Sequence, residues 1–187
     1  LIADLPSEQL RDTLEGFHIT PSYLADYDAV AAQASVPLTT QEGHCQQFTA
    51  DRARWASVLE DAKQAGYLSL RPIHGDPKVN NLMMDAESGK AIALVDLDTV
   101  KPGLVHYDIG DCLRSGCNPL GEETREPEAV VFDLERCGAI LSGYLETAGQ
   151  TLSEADHRYL FDAIRLIPFE LGLRFFTDHL KGNTYFK

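Results

Sequence analysis

Four polar side chains with complementary chemistry are closely spaced in the stretch IHGDPKVNNLMM, residues 73–84: His74, Asp76, Lys78 and Asn81. A carboxylate such as Asp76 can orient a hydroxyl nucleophile and accept its proton while phosphorus is attacked. A lysine placed just after it can neutralise charge on the transferring phosphoryl group. We therefore group Asp76, Lys78 and His74 as a candidate catalytic set, in which Asp76 is expected to act as the base and His74 to support the loop.

A second stretch, IALVDLDTV at residues 92–100, ends an apolar run in the carboxylates of Asp96 and Asp98. Magnesium prefers oxygen ligands and usually shares them with water and substrate phosphates. The amide oxygen of Asn81 and the carboxylate of Asp96 would suit such an ion, and Asp98 is either a further ligand or merely a neighbour. A carboxylate after a strand commonly caps a turn, but its occurrence beside the first stretch favours a site. We predict that Lys78, Asn81 and Asp96 contact a nucleotide's phosphates and its metal ion.

The elements that must position these residues are predicted from apolar periodicity and turn signals. Strands are expected in YLSLRPI, VNNLMMD and AIALVDLD, forming one small sheet, with AESGK as the hairpin turn between the last two. Trp55, Phe175 and Phe176 are expected to serve packing, with stacking on a sugar as the alternative, and Lys101 is expected to be solvated. Helices are expected over residues 4–17, 20–34, 52–66, 106–116, 126–149 and 153–180, the last kinked or interrupted at Pro168.

The first stretch satisfies H-x-D-x-x-x-x-N and resembles the catalytic loop of the aminoglycoside phosphotransferase and choline kinase superfamily, whose fold is protein-kinase-like. The resemblance implies ATP and Mg²⁺ as cofactors, with Asp76 as base and Asn81 and Asp96 as metal ligands. It also implies that Asp108, in YDIGD, supports the catalytic loop from below. The expected fold class is α+β: a mainly helical C-terminal lobe with a small central β-hairpin or sheet.

Three longer segments, HGDPKVNNLM, ALVDLDTVKPGLVHYDIGDCLRSG and LGLRFFTDHLKGNTYFK, are similar to the N-acetylhexosamine 1-kinases. That similarity implies transfer of a phosphoryl group to the anomeric hydroxyl of N-acetylglucosamine or N-acetylgalactosamine. An amino alcohol remains an alternative acceptor. Asp111, Arg114 and Tyr185 are the candidates for contacting the sugar.

A kinase of this superfamily also has a smaller lobe with a Gly-rich loop and a strand-borne lysine that hold the nucleotide. Nothing before residue 70 has that pattern, so we expect residues 1–187 to be the substrate-binding lobe alone, without the nucleotide-binding lobe, and to be inactive by itself. Two alternatives stay open. One is a non-catalytic binding lobe. The other is a sulfatase, because CNPLG at residues 117–121 resembles the sulfatase motif C-x-P-x-R, although Gly121 occupies the arginine position.

Composition excludes several other classes of protein. The formal charge of −13 over 187 residues would repel a nucleic-acid backbone, and the apolar runs are too short to span a membrane. We expect a cytosolic protein that binds a small molecule. The cysteines lack zinc-site spacing and are predicted to be reduced and mostly buried; they are Cys45, Cys112, Cys117 and Cys137.

Overall fold

A computed structural model describes residues 2–33 and 37–186, and within them the chain forms a mainly helical α+β structure. The α-helices are α1 (Thr20–Ala31), α2 (Thr40–Arg52), α3 (Val58–Gln64), α4 (Val105–Gly116), α5 (Leu134–Ala148) and α6 (Glu154–Leu180). The strands are β1 (Arg71–Ile73), β2 (Leu82–Met84), β3 (Ala91–Leu94) and β4 (Lys101–Gly103). Short 3₁₀ turns lie at Ile2–Asp4, Ser7–Gln9, Ala53–Trp55, Val79–Asn81, Leu97–Thr99, Pro127–Ala129 and Gly149–Thr151.

The strands form two separate antiparallel pairs. The predicted hairpin is confirmed as β2–β3, with Leu82 opposite Leu94. The expectation of one sheet is wrong, because β1 pairs with β4, whose sequence KPG gave no strand signal. The chain between the two pairs therefore runs from β1 through the predicted catalytic loop into the hairpin and back beside β1. This arrangement brings the ends of both predicted site segments together.

The core is formed where α6 crosses α4 and α1. Leu59, Leu104, Leu113, Leu166 and Leu173 are almost completely buried there. Gly110 allows the close approach of α4 to α6, since a Cβ at this position would lie 2.5 Å from Ile167 Cγ1. The predicted interruption at Pro168 is not seen, because α6 continues through this residue. Residues on α4 are thereby fixed against the longest helix.

Several helix predictions are confirmed. The helix predicted from residue 20 is α1, although its N-cap residue is Ile19, so Thr20 and Pro21 lie inside the first turn. Residue 34, at the predicted end of that helix, lies outside the described residues. The helix predicted over residues 153–180 is α6, which starts with a capping box between Ser153 and Asp156. All four cysteines have free thiols, two of them buried.

Other helix predictions are wrong for identifiable reasons. The helix predicted over residues 4–17 reduces to short 3₁₀ turns. The helix predicted from residue 126 begins only at α5, because the Asp133 side chain accepts the N–H groups of Glu135 and Arg136 and so starts the helix there. The unpredicted α2 starts with a capping box between Thr39 and Glu42. In the described part of the chain, no helix combines the length and the apolar character that a membrane span needs.

Lys101 is buried, contrary to the prediction that it is solvated. Its ammonium group donates to Asp12 Oδ2 at 3.0 Å and to the carbonyl of Phe17 at 3.1 Å. These bonds satisfy a charge that would be costly to bury alone. They tie β4 to the segment that precedes α1, which includes His18.

Candidate active site

The predicted catalytic loop follows β1 and ends in the 3₁₀ turn before β2. Asp76 Oδ2 accepts a hydrogen bond from Lys78 Nζ at 2.5 Å. Asn81 Nδ2 donates to the carbonyl of Asp76 at 2.7 Å and to its Oδ2 at 3.2 Å. Three residues that the sequence analysis grouped by spacing are therefore in direct contact, with the Asp76 carboxylate between an ammonium group and an amide.

His74 lies behind this constellation and is only 1% exposed. Its Nε2 donates to the carbonyl of Val95 at 3.0 Å, and its Nδ1 accepts the backbone N–H of Asp76 at 3.2 Å. These partners assign the proton to Nε2 and leave no ring nitrogen for a substrate. The geometry agrees with the expected supporting role for His74.

Asp108, at the start of α4, holds the same loop from the other side. Its carboxylate accepts the backbone N–H groups of His74 and Gly75, each at 2.8 Å. Burial raises the pKa of Asp108, while these two N–H groups act in the opposite direction. Thr99 adds a third support by donating its hydroxyl to the carbonyl of His74 at 2.8 Å. Asp108 thus contacts the backbone of the loop, and its role as a support stays a prediction.

The charge of Lys78 is stabilised by several carboxylates. Burial lowers the pKa of Lys78, but the Asp76 contact and the nearby charges of Glu122 and Asp96 together raise it above its ordinary value. Lys78 therefore stays protonated at neutral pH. The same interactions put Asp96 within electrostatic reach of Lys78.

The candidate metal ligands lie where the loop meets the end of β3. The backbone N–H of Val95 donates to the carbonyl of Asn81 at 2.9 Å, which joins the two segments. Asn81 uses its amide nitrogen on Asp76, so its Oδ1 is left for another partner. Asp96 adopts a left-handed backbone with φ of 65° and has an exposed side chain. Asp98 is also exposed, and its carbonyl accepts the hydroxyl of Thr13.

The oxygen atoms of Asn81, Asp96 and Asp98 fit a metal ion that takes most of its ligands from bound nucleotide and water. The described residues contain no cluster of three or more His, Cys, Asp or Glu side chains suited to a metal. One amide oxygen and one or two carboxylates would serve Mg²⁺ when a nucleotide's phosphates and water supply the remainder. A resident metal site made wholly of protein ligands is not formed by these residues.

A cleft of about 810 Å³ opens beside Asp76 and Lys78. Its lining includes all three predicted sugar contacts, which come from α4 and the C-terminal segment: Asp111, Arg114 and Tyr185. The volume lies within the usual range for small-molecule sites. The structure thus brings the predicted base, the lysine and the predicted sugar contacts to one cleft, with Asn81 directly behind Asp76.

Two ion pairs that share Arg114 line one side of the cleft. Arg114 donates to Asp111 Oδ1 at 2.8 Å and also contacts Glu122 at 2.5 Å. Asp111 is 4% exposed, and its second oxygen, Oδ2, has no hydrogen-bond partner among the described residues. Burial raises the pKa of Asp111, and Arg114 opposes that effect. Arg114 therefore already has partners, whereas Asp111 retains one unused acceptor.

Aromatic rings and one arginine form the opposite wall. The Arg174 guanidinium lies 5.3 Å from the Phe17 ring centroid and 5.6 Å from that of Phe186. Phe175 also lines the cleft, is 48% exposed and packs against Phe186 with 4.1 Å between the ring centroids, whereas Phe176 is buried in the core. Trp55 is partly buried and packs against the core.

The carboxylate of Asp178 on α6 binds the backbone of the C-terminal segment. Asp178 accepts the backbone N–H groups of Thr184, Tyr185 and Phe186. Burial would raise the pKa of Asp178, but these hydrogen bonds outweigh it and lower the pKa. The same bonds place Tyr185 and Phe186 at the cleft.

Four ionisable residues that line the described cleft were missed by the sequence analysis: His18, Glu122, Glu170 and Arg174. None belongs to a local motif, and His18 meets Glu170 across 152 positions of the chain. The only available signal was the LGLRFF segment that carries Arg174 within the similarity to sugar kinases.

Cys117 has the wrong environment for the sulfatase alternative. Its side chain is completely buried at the end of α4. Burial, with Cys137 adjacent, raises the pKa of Cys117 to about 11, which disfavours the reactive thiolate.

Comparison with known proteins agrees with the geometry of the loop. The model of the APH phosphotransferase enzyme family matches residues 2–139, which is most of the chain and includes the whole catalytic loop, both strand pairs and α4. The fold is the mainly helical lobe of the kinase-like fold that these enzymes share. This chain belongs to the APH phosphotransferase enzyme family.

Proposed function

We propose that this protein transfers the γ-phosphoryl group of ATP to a hydroxyl of a small molecule, and that the acceptor is the anomeric hydroxyl of an N-acetylhexosamine. Membership of a phosphotransferase family gives the general reaction class. The observation that carries the proposal is the position of Asp76, which lines the cleft while contacting both Lys78 and Asn81.

Asp76 would orient the acceptor hydroxyl and take its proton. The acceptor oxygen forms the new bond to phosphorus, and the bond from phosphorus to the oxygen bridging the β and γ phosphates breaks. Lys78 would face the transferring group with its stabilised positive charge. Asn81 and Asp96, with Asp98 nearby, would hold Mg²⁺, which neutralises phosphate charge when bound.

The charges of the cleft support a neutral acceptor. Each described carboxylate that lines it has a cationic partner: Asp76 with Lys78, Asp111 and Glu122 with Arg114, and Glu170 with His18. An aminoglycoside or choline would need unpaired carboxylates or an open aromatic cage to hold its cation. Arg174 adds a positive charge on the opposite wall. A sugar with an uncharged acetamido group needs no unpaired carboxylate and is not repelled by Arg174.

The hairpin supports a nucleotide site and a second lobe above it. Its apolar side chains are exposed along both strands, among them Leu82, Met83, Met84, Ile92 and Leu94. Several exposed apolar side chains on one hairpin are typical of a covered site. It lies directly beside Asn81 and Asp96, where the phosphates would be. We propose that the adenine ring and a nucleotide-binding lobe cover this surface, so that the described residues form the acceptor-binding lobe.

A screen with radiolabelled ATP tests the proposal. The enzyme containing this chain is incubated with N-acetylhexosamines, aminoglycosides and choline, and phosphorylated products are separated and counted. We expect product only with a neutral sugar. Replacement of Asp76 with Asn should lower turnover by roughly 10²–10⁴-fold without loss of the fold. Near-normal turnover of that variant would reject Asp76 as the base, and phosphorylation of a cationic acceptor alone would reject the sugar.

A further inference from the structure

The peptide group between Gly75 and Asp76 is held by two histidines from distant parts of the chain. Its carbonyl oxygen lies 2.7 Å from His18 Nε2, and its N–H donates to His74 Nδ1 at 3.2 Å. The nitrogen of this peptide group is bonded to the Cα that carries the Asp76 side chain. Both contacts resist rotation of the peptide plane, which would change ψ of Gly75 and φ of Asp76.

We propose that His18, anchored by Glu170, is a positioning residue that fixes the Gly75 carbonyl and so directs the Asp76 carboxylate into the cleft. The inference rests on the proposed function, since it concerns the geometry of the proposed base. His18 lines the cleft but is only 4% exposed, and both its ring nitrogens have protein partners. It acts through Gly75 and has no free nitrogen for the substrate.

The partners of His18 define its protonation. A carbonyl oxygen can only accept, so Nε2 carries a proton towards Gly75. Nδ1 faces Glu170 Oε1 at 3.0 Å, and Glu170 Oε2 accepts the hydroxyl of Thr20 at 2.7 Å. Glu170 is 1% exposed, and a buried carboxylate is retained in its charged form by a cationic partner. The arrangement is that of an imidazolium paired with a carboxylate.

The other groups around His18 favour the same charge. Burial lowers the pKa of His18, but Glu170, the Gly75 carbonyl and the more distant carboxylate of Asp111 together raise it above its ordinary value. Asp108 also faces it, since His18 acts to lower the pKa of Asp108. Its remaining neighbours are the aromatic rings of Phe17 and Tyr107 and the phenol of Tyr23. Since the folded-state pKa is raised, the stabilisation is complete below the unfolded value and declines as pH rises through the folded value.

Nitrogen-15 NMR of the histidine rings tests the contact independently of turnover. At neutral pH we expect both nitrogens of His18 to show the protonated imidazolium pattern. In the double variant His18→Leu/Glu170→Gln, the amide signals of Gly75 and Asp76 should shift and exchange faster with solvent. The Gln removes the carboxylate that Leu would leave buried and unpaired. A neutral His18, or unchanged amide signals in the folded double variant, would overturn the proposal.

Steady-state kinetics then test whether the double variant has a misplaced Asp76 carboxylate. We expect the double variant to lose roughly 10–100-fold in kcat, with an acceptor KM within about threefold of wild type, because misplacing a reacting group slows the chemical step. The comparison variant is Glu170→Gln, which keeps His18 and can still donate to Nδ1 and accept from Thr20, so we expect it to lose less kcat than the double variant. Equal losses in both variants would assign the effect to the carboxylate and overturn the role of His18. A wild-type enzyme without transferase activity would instead refute the proposed function, and the NMR result would still decide the contact.

Discussion

Beside the proposed base, Gly75 has a backbone that other residues rarely adopt. Its φ is +89°, and a Cβ built on it would lie 2.6 Å from the carbonyl oxygen of Thr99. Thr99 is also the residue whose hydroxyl binds the His74 carbonyl. The close approach of these two segments therefore depends on the absence of a side chain at Gly75. The missing side chain allows Thr99 to come close enough to hydrogen-bond the loop.

Replacement of Gly75 with Ala should destabilise the protein and reduce turnover. A left-handed backbone costs a non-glycine residue roughly 1–2 kcal/mol, and the contact with Thr99 should add about 1–3 kcal/mol. Gly89→Ala is the matched control, because Gly89 also has a positive φ of 65° but open space around it. Urea unfolding of both variants measures the difference. Equal free energies of unfolding would show that the Thr99 contact is not tight.

The loop could be predicted from sequence because its decisive contacts are local. Asp76, Lys78 and Asn81 bind one another across two to five positions of the chain. The spacing of these residues in the sequence is therefore enough to predict such contacts. The anchoring of the loop by His18 could not be predicted, because it joins residues 57 positions apart and follows from the packing of whole elements.

At the scale of elements, the crossing of α4 and α6 positions most of the cleft. Helix α4 carries Asp108, which supports the loop, and Asp111 and Arg114, which line the cleft. Helix α6 carries Glu170 and Arg174 on the facing wall. Their separation is set at Gly110, where a Cβ would lie 2.9 Å from the backbone carbonyl oxygen of Ala163. Backbone contacts of this kind cannot be relieved by rotating a side chain.

Gly110→Ala and Gly143→Ala should therefore change stability in opposite directions. Ala is the better helix former by roughly 0.5–1 kcal/mol, and Gly143 in α5 has nothing within 4 Å of a built Cβ. Gly143→Ala should be stabilising by about that amount. Gly110→Ala should cost about 1–3 kcal/mol through overpacking and should lower kcat by moving α4. Thermal unfolding and turnover of the pair test this, and stabilisation by both substitutions would contradict it.

One element boundary that the sequence did not reveal has a physical cause in the cleft. Val130 and Val131 lie within the helix predicted over residues 126–149, yet they precede the Asp133 cap and line the cleft, with Phe132, from an irregular segment. Apolar side chains there serve a binding surface, which periodicity cannot distinguish from core. The hairpin was predictable because its turn and its alternating strands are contiguous in the chain.

At the scale of the whole molecule, an acidic chain presents exposed apolar side chains on its hairpin. The chain has a formal charge of −13, whereas the hairpin presents a row of uncharged apolar side chains. Strand β3 leads directly from this surface to Asp96. A ligand with an apolar aromatic ring at one end and phosphates at the other would match both parts. ATP has that form, and a second lobe could cover the ring from above.

Leu94→Glu should therefore weaken ATP binding while changing stability little. Leu94 is 37% exposed and lies opposite Leu82 on the hairpin, so a charge there would face the proposed adenine site. Leu145→Glu is the matched control, since Leu145 is 38% exposed on α5, away from the hairpin. We expect KM for ATP to rise about tenfold or more in the first variant only, which corresponds to roughly 1.4 kcal/mol of lost binding. Equal KM values for ATP in the two variants, with both folded, would remove the hairpin from the nucleotide site.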